Sequence, residues 1–193
     1  RAVEAMKLGG GRPALVSDDT MTQALMRLGV PASKVLDYAI IGCAEPIVMG
    51  TRILIVWSWV SLPKILELSL NDGVDPRTGK RIGLPTGDPL TFTAYDDVEN
   101  AFREQLKHFV SLCAVAVNGV ADPLVAEETP HVFFSAITPD CIEKGLDVTA
   151  GGARYDWSVV WPIGPATVGN SLAAIKKVVF EDGKITTVSF DHC

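Results

Sequence analysis

Nothing in this chain of 193 residues is long and apolar enough to cross a bilayer. Its apolar runs, 53–60 and 113–117, fall well short of the ~20 residues a spanning helix needs. The opening Arg1-Ala2-Val3-Glu4 contains no apolar segment of the kind that directs secretion. Four cysteines, at 43, 113, 141 and 193, include no C-x-x-C pair and no metal-finger spacing. A reduced, cytoplasmic setting is the expectation. No paired histidines suggest a metal: His108 and His131 read as surface or core residues. No basic tract interleaved with aromatics is present, and the net charge is -6, so nucleic acid is not an expected partner. Repeats, low-complexity tracts and linkers are missing too. Two near-motifs fail on spacing. Gly73 to Arg81 places five residues between its glycines and an Arg after Lys80, where a phosphate-binding loop needs four and a Ser or Thr. The acids at 72 and 75 lack the rest of a calcium-loop ligand series.

What is present is apolar. Hydrophobic residues make up 48% of the chain, and the mean hydropathy is +0.26. That excess fits a stretch whose faces are covered by more protein, and alone it would expose apolar patches. Ala14-Leu15-Val16 reads as a short buried strand, followed by a helix from about Thr20 to Leu28 capped by Ser17, Asp18 or Asp19. Tyr38 to Ile41 reads as a second buried strand. Ser61-Leu62-Pro63-Lys64 has the form of a helix start, and Asn71-Asp72-Gly73 ends that helix. Residues 74–89 read as a surface loop. The longest helix is expected over about Val98 to Val117, with Phe102, Leu106, Phe109, Val110 and Cys113 at helical spacing. Phe133 to Ala136 looks strand-like, Asp140 to Lys144 a short helix stopped by Gly145, and Val168 to Lys177 a helix. Residues 178–187 read as a hairpin-like end. Alternating strands and helices predict the α/β class.

One word stands out: Gly42-Cys43-Ala44-Glu45-Pro46, directly after an apolar run. In extended chain, residues i and i+2 share a face, so Cys43 and Glu45 could project into one pocket. Gly42 permits a tight turn before the thiol, and Pro46 stiffens the exit. A reactive sulfur beside a carboxylate base is a plausible catalytic pair. The bland alternative is a buried structural Cys beside a surface Glu. Trp57 and Trp59 share a face if extended. They either line an aromatic-friendly pocket, form a subunit contact or simply pack as large rings. Arg154 and Tyr155 follow a glycine-rich turn; Arg154 could bind a substrate carboxylate, or the segment could be purely structural.

Seven segments, in this order, resemble the glycyl radical enzymes of the pyruvate formate-lyase-like superfamily, in their dehydratase, decarboxylase and lyase branch. They are Gly10-Gly11-Arg12-Pro13-Ala14, Ser17-Asp18-Asp19, Asp37 through Pro46, Leu62 through Leu68, Asn71-Asp72-Gly73, Gly151-Gly152-Ala153-Arg154-Tyr155 and Asn170 through Lys176. The Gly-Cys-x-Glu-Pro word is the specific one.

The resemblance implies part of a ten-stranded α/β barrel, not closed by this chain alone, with the Cys loop a finger reaching into it. It implies one partial barrel domain over 1–193 with the C-terminal glycyl radical domain absent. Cys43 matches the cysteine that becomes a thiyl radical and takes a hydrogen atom from substrate. Glu45 matches the base toward a substrate hydroxyl. Trp57, Trp59, Arg154 and Tyr155 stand as substrate-binding candidates. Residue 42 is Gly where pyruvate formate-lyases have a second cysteine, which disfavours acyl transfer to coenzyme A. No cofactor is expected to bind directly. The radical would be installed by a radical-SAM activase on a glycine absent from these residues, since no Arg-Val-x-Gly word occurs and Gly183 lies in a turn. The expected activity is anaerobic lyase chemistry on a small molecule. Examples are a diol or hydroxyproline dehydratase, a C–N or C–S lyase, or an arylacetate decarboxylase. The full-length protein would be a homodimer, and these residues alone would be inactive. The alternatives are a non-catalytic relic or accessory piece of the same family, and a cysteine hydrolase using Cys43.

Overall fold

Ser17 starts the first well-capped helix. Its hydroxyl accepts from the Thr20 amide at 3.4 Å, satisfying one of the donors a helix N-terminus leaves open, and Asp18 and Asp19 complement the dipole. A computed structural model of the chain describes residues 2–9, 15–42, 45–52, 57–121 and 130–184. The described chain divides into two units, Arg1–Ile53 with His131–Asp156, and Leu54–Pro130 with Trp157–Cys193.

The first unit contains helices α1 (Ala2–Lys7) and α2 (Asp18–Arg27), then an antiparallel pair, β1 (Ala39–Ile41) and β2 (Glu45–Ile47). After chain position 130 come two short helices, α5 (Val132–Ile137) and α6 (Cys141–Lys144), and a π-helical turn at Val148–Gly152. Leu25, Val30, Val35 and Val48 are buried in this unit. A small cluster of Cys141, Val148 and Ala153, with Phe134 against it, closes the α5–α6 side.

The second unit is built on a parallel pair, β3 (Trp57–Ser61) beside β6 (Val159–Ile163), in a register that sets Trp59 opposite Trp161. Each strand runs straight into a helix. Ser61 caps α3 (Leu62–Ser69), its hydroxyl accepting from the Lys64 amide at 3.5 Å. Gly164 precedes α7 (Pro165–Ile175) with a φ of +75°. A Cβ there would meet the Pro63 ring at 2.7 Å, so the two strand-to-helix elbows touch where only glycine fits. The 22-residue α4 (Tyr95–Ala116) packs on α3 and on both strands, burying Val98, Ala101 and Gln105. Its N-terminus is held by Asp97, whose carboxylate accepts from the Thr93 and Ala94 amides at 2.9 Å each. Those bonds hold its carboxyl below the usual range. Between α3 and α4 lies a two-residue antiparallel pair, β4 (Val74–Asp75) and β5 (Lys80–Arg81).

The structure corrects several local expectations. Leu15 and Val16 form no strand, and Leu15 is exposed, because neither finds a ladder partner among the described residues; Ala14 lies outside them. The strand-like residues 133–136 are helical, held by a distant carboxylate described below. Residues 178–180 continue α7 as a π-helical segment, Lys176–Glu181, instead of a hairpin strand; 185–187 lie outside the described residues. Ile40 and Ile41 were expected to be buried, but Ile40 is 38% exposed and Ile41 half-buried, since β1 and β2 form a two-stranded ribbon. No described helix is long and apolar enough to cross a membrane.

Gln105 ties the loop before α4 to the helix. It is fully buried; its carbonyl accepts from the Leu84 amide at 3.0 Å and its amide donates to the Leu84 carbonyl at 2.6 Å. Gln105→Leu removes both partners while keeping the bulk, and should cost about 2 kcal/mol in urea unfolding. A variant as stable as wild type would show that the loop contributes nothing to this unit.

Candidate active site

The register of the β1–β2 ribbon pairs Ile41 with Glu45 and leaves a three-residue connection, 42–44. Cys43 and Ala44 lie outside the described residues. Gly42 has a φ of +56°, the left-handed region that glycine adopts freely. Glu45 is buried, 7% exposed. Its carboxylate lies directly against Gly42: a Cβ at 42 would sit 2.9 Å from Cδ and no farther than 3.0 Å from either oxygen. The acid therefore does not point away along the strand. It curls back to the start of the turn, immediately before Cys43.

The chain that follows β2 carries Arg154 and Tyr155 alongside. Tyr155 donates its amide to the Gly50 carbonyl at 3.0 Å, and its own carbonyl accepts from the Arg52 amide at 3.0 Å. Thr51 and Tyr155 thereby form a parallel bridge. Arg154 is spoken for: its guanidinium forks onto Asp140, Nε lying 3.1 and 3.0 Å from the two oxygens and Nη2 bonding Oδ1. This pairing raises the Arg154 pKa and lowers that of Asp140. The pair fastens the segment to the start of α6.

Trp57 and Trp59 belong to the second unit. Trp59 is 61% exposed and lines a cavity of about 130 Å³ with Lys64, Ile65 and Leu68 of α3 and Phe109 and Cys113 of α4. His131 packs its ring against Phe134 at 6.2 Å. Cys141 is buried, which pushes its thiol pKa up. No cluster of three or more metal-binding side chains occurs among the described residues.

Sequence reasoning missed two features. Arg52 is 1% exposed, and its Nε stands 2.9 Å from Asp156 Oδ1. The available signal was a lone cation inside the apolar run 47–56. The second is Asp147, which organises the turn leading to Arg154 and Tyr155. Its carboxylate accepts from the His131 amide (2.8 Å), the Ser135 hydroxyl (2.7 Å), and the amide and hydroxyl of Thr149 (2.9 and 2.7 Å). Ser135 in turn accepts from the Val148 amide at 2.9 Å.

The pyruvate formate lyase-like family model matches residues 1–191. The chain belongs to that family. It is similar to trans-4-hydroxy-L-proline dehydratase of Clostridioides difficile, 36% identical over 184 residues, which cover 95% of this chain and 23% of that protein. Among solved structures, hydroxyproline dehydratase of Clostridioides difficile with trans-4-hydroxy-L-proline bound superposes with a TM-score of 0.84 at 35% identity, over 97% of this chain and 24% of that one. The B12-independent glycerol dehydratase of Clostridium butyricum, in its glycerol-bound form, gives 0.82 at 33%, over 98% and 24%. The chain spans about a quarter of the length of these relatives. The α/β expectation holds. Structural neighbours are glycyl radical enzyme barrels, and none of the sheets among the described residues closes on itself.

Asp147 provides a pH test. Burial raises its pKa, but the bonds from Thr149, Ser135 and His131 outweigh that and hold it at about 2, below its ordinary 3.8. A lowered folded-state value stabilises above pH 3.8, and that contribution is lost as pH falls toward 2. Protection of the His131, Val148 and Thr149 amides from hydrogen exchange should fall across that window. Asp147→Ala should cost about 2 kcal/mol at pH 7 and flatten the acid dependence. Protection that is the same at pH 4 and pH 2.5 would contradict the assignment.

Proposed function

We propose that the protein carrying this chain is a glycyl radical dehydratase or related lyase acting on a small hydroxylated molecule. One partial barrel domain over 1–193 presents the Cys loop. The observation that supports this is the Glu45 carboxylate, buried and turned back onto Gly42, next in sequence to Cys43. The radical comes from a glycine charged by a radical-SAM activase.

Cys43, as a thiyl, takes a hydrogen atom from a substrate C–H bond, becoming a thiol and leaving a carbon radical. Sulfur suits this relay because S–H and activated C–H bonds are closely matched in strength. Glu45, as the carboxylate, accepts the proton of a hydroxyl on that carbon. The resulting electron-rich radical expels the neighbouring hydroxyl, which leaves as water with the proton that Glu45 accepted, returning Glu45 to the carboxylate. The product radical then takes the hydrogen atom back from Cys43, restoring the thiyl. A positioned base of this kind contributes roughly 10²–10⁴-fold. Glycerol, bound by one relative, carries the neighbouring hydroxyls this step needs; trans-4-hydroxy-L-proline, bound by another, carries a single hydroxyl, which can serve only as the leaving group. Arg154 and Tyr155 belong to the backbone that pairs with the chain following β2, and Arg154, Tyr155, Trp57 and Trp59 are the candidates for substrate contact.

The test is turnover of trans-4-hydroxy-L-proline, glycerol and 1,2-propanediol by the activated full-length protein. Cys43→Ser should abolish turnover. Glu45→Gln should slow it by roughly 10²–10⁴-fold with the same glycyl radical yield by electron paramagnetic resonance. Undiminished turnover in Cys43→Ser would sink the thiyl role, and in Glu45→Gln the base role.

A further inference from the structure

The space a side chain at residue 42 would fill is occupied by the Glu45 carboxylate. A Cβ built on Gly42 falls 2.9 Å from Glu45 Cδ and within 3.0 Å of both oxygens, closer than non-bonded atoms tolerate. We infer that Gly42 is a positioning residue for the base: having no side chain, it lets the carboxylate rest against the backbone at the mouth of the turn. The inference rests on Glu45 acting as that base.

Two features make the contact a constraint and not an accident of rotamer. The main chain of Glu45 is fixed by its pairing with Ile41 across the ribbon, so the strand cannot slide to relieve a clash. The φ of +56° at Gly42 aims its open Cα face toward the carboxylate. What yields on substitution is the far end of a flexible side chain. The hairpin therefore still closes, and the carboxylate swings off. The consequence is a folded, radical-bearing and slow enzyme.

Backbone conformation and space are separable demands. Asn adopts the left-handed region far more readily than Ala, yet both carry a Cβ. If φ were the only demand on residue 42, Gly42→Asn would be benign. If space is the demand, Asn is as harmful as Ala.

The experiment compares wild type, Gly42→Ala, Gly42→Asn, Glu45→Gln and Gly42→Asn/Glu45→Gln in the activated full-length protein. The substrate is whichever of the three above it turns over. The two Gly42 variants should each lose kcat by about as much as Glu45→Gln, roughly 10²–10⁴-fold. Their KM should change less than about threefold and their glycyl radical yield should be unchanged. The double variant should be no slower than Glu45→Gln alone, because the glycine acts only through the acid. Wild-type kcat in Gly42→Asn beside a slow Glu45→Gln overturns the inference, as does a double variant slowed by the product of the single effects. Wild-type kcat in Glu45→Gln overturns the base reading itself, a different outcome. A crystal structure of Gly42→Asn gives a readout that needs no turnover. The carboxylate should move by about 1 Å or more to reach ordinary contact distance, and an unmoved carboxylate overturns the inference.

Discussion

Each unit depends on a parallel pairing of its own. Two stretches of chain about a hundred residues apart run parallel, as Thr51 beside Tyr155 in one unit and as Trp57–Ser61 beside Val159–Ile163 in the other. Parallel strands cannot be joined by a tight turn; they need a crossover. The described elements from α3 to the π-helical turn before Tyr155 fall within that connection. Its long helix α4 covers β3 and β6, and its Asp147-centred turn delivers Arg154 and Tyr155 to the chain that follows the Cys loop. The hairpin that carries Glu45 ends only a few residues before this pairing begins, so the exit of the loop is anchored by backbone bonds and not by side chains alone.

Around these pairings the polar groups act as fasteners. Asp147 gathers four donors from three residues, Gln105 satisfies both backbone groups of Leu84, and Asp140 locks Arg154 through a forked pair. Each removes a buried or half-buried polar group from the list of unpaid desolvation costs. In this arrangement Arg154, a ligand-binding candidate in the sequence, is paired with Asp140 at the start of α6.

Legibility followed the range of the forces involved. Helices with local caps were readable: Ser17 before α2, and Ser61 with Pro63 before α3, with the stop at Asn71-Asp72-Gly73, all lie where the sequence puts them. The α/β class and the family word Gly42 to Pro46 were readable for the same reason. Residues 133–136 were misread because β-favouring Phe133 and Phe134 are overridden by the Asp147 carboxylate, which seats the first turn of α5 from more than ten residues away. β6 went unseen because Val159–Ile163 contains a Pro and two bulky neighbours, and becomes a strand only by pairing with β3.

By itself the sequence determined the family, the class of secondary structure, the capped helices, and the identity of the thiol and acid two residues apart, since these depend on local letters and short spacings. Tertiary structure alone decided that Glu45 curls back onto Gly42, that Arg154 belongs to Asp140, and that Arg52 is buried beside Asp156. The direction of a side chain is set by register, burial and the nearest opposite charge, which come from within the hairpin for Glu45 and from chain positions far apart for Arg154 and Arg52. For Arg154 and Arg52 no local pattern encodes those distances; only the fold brings the partners into reach.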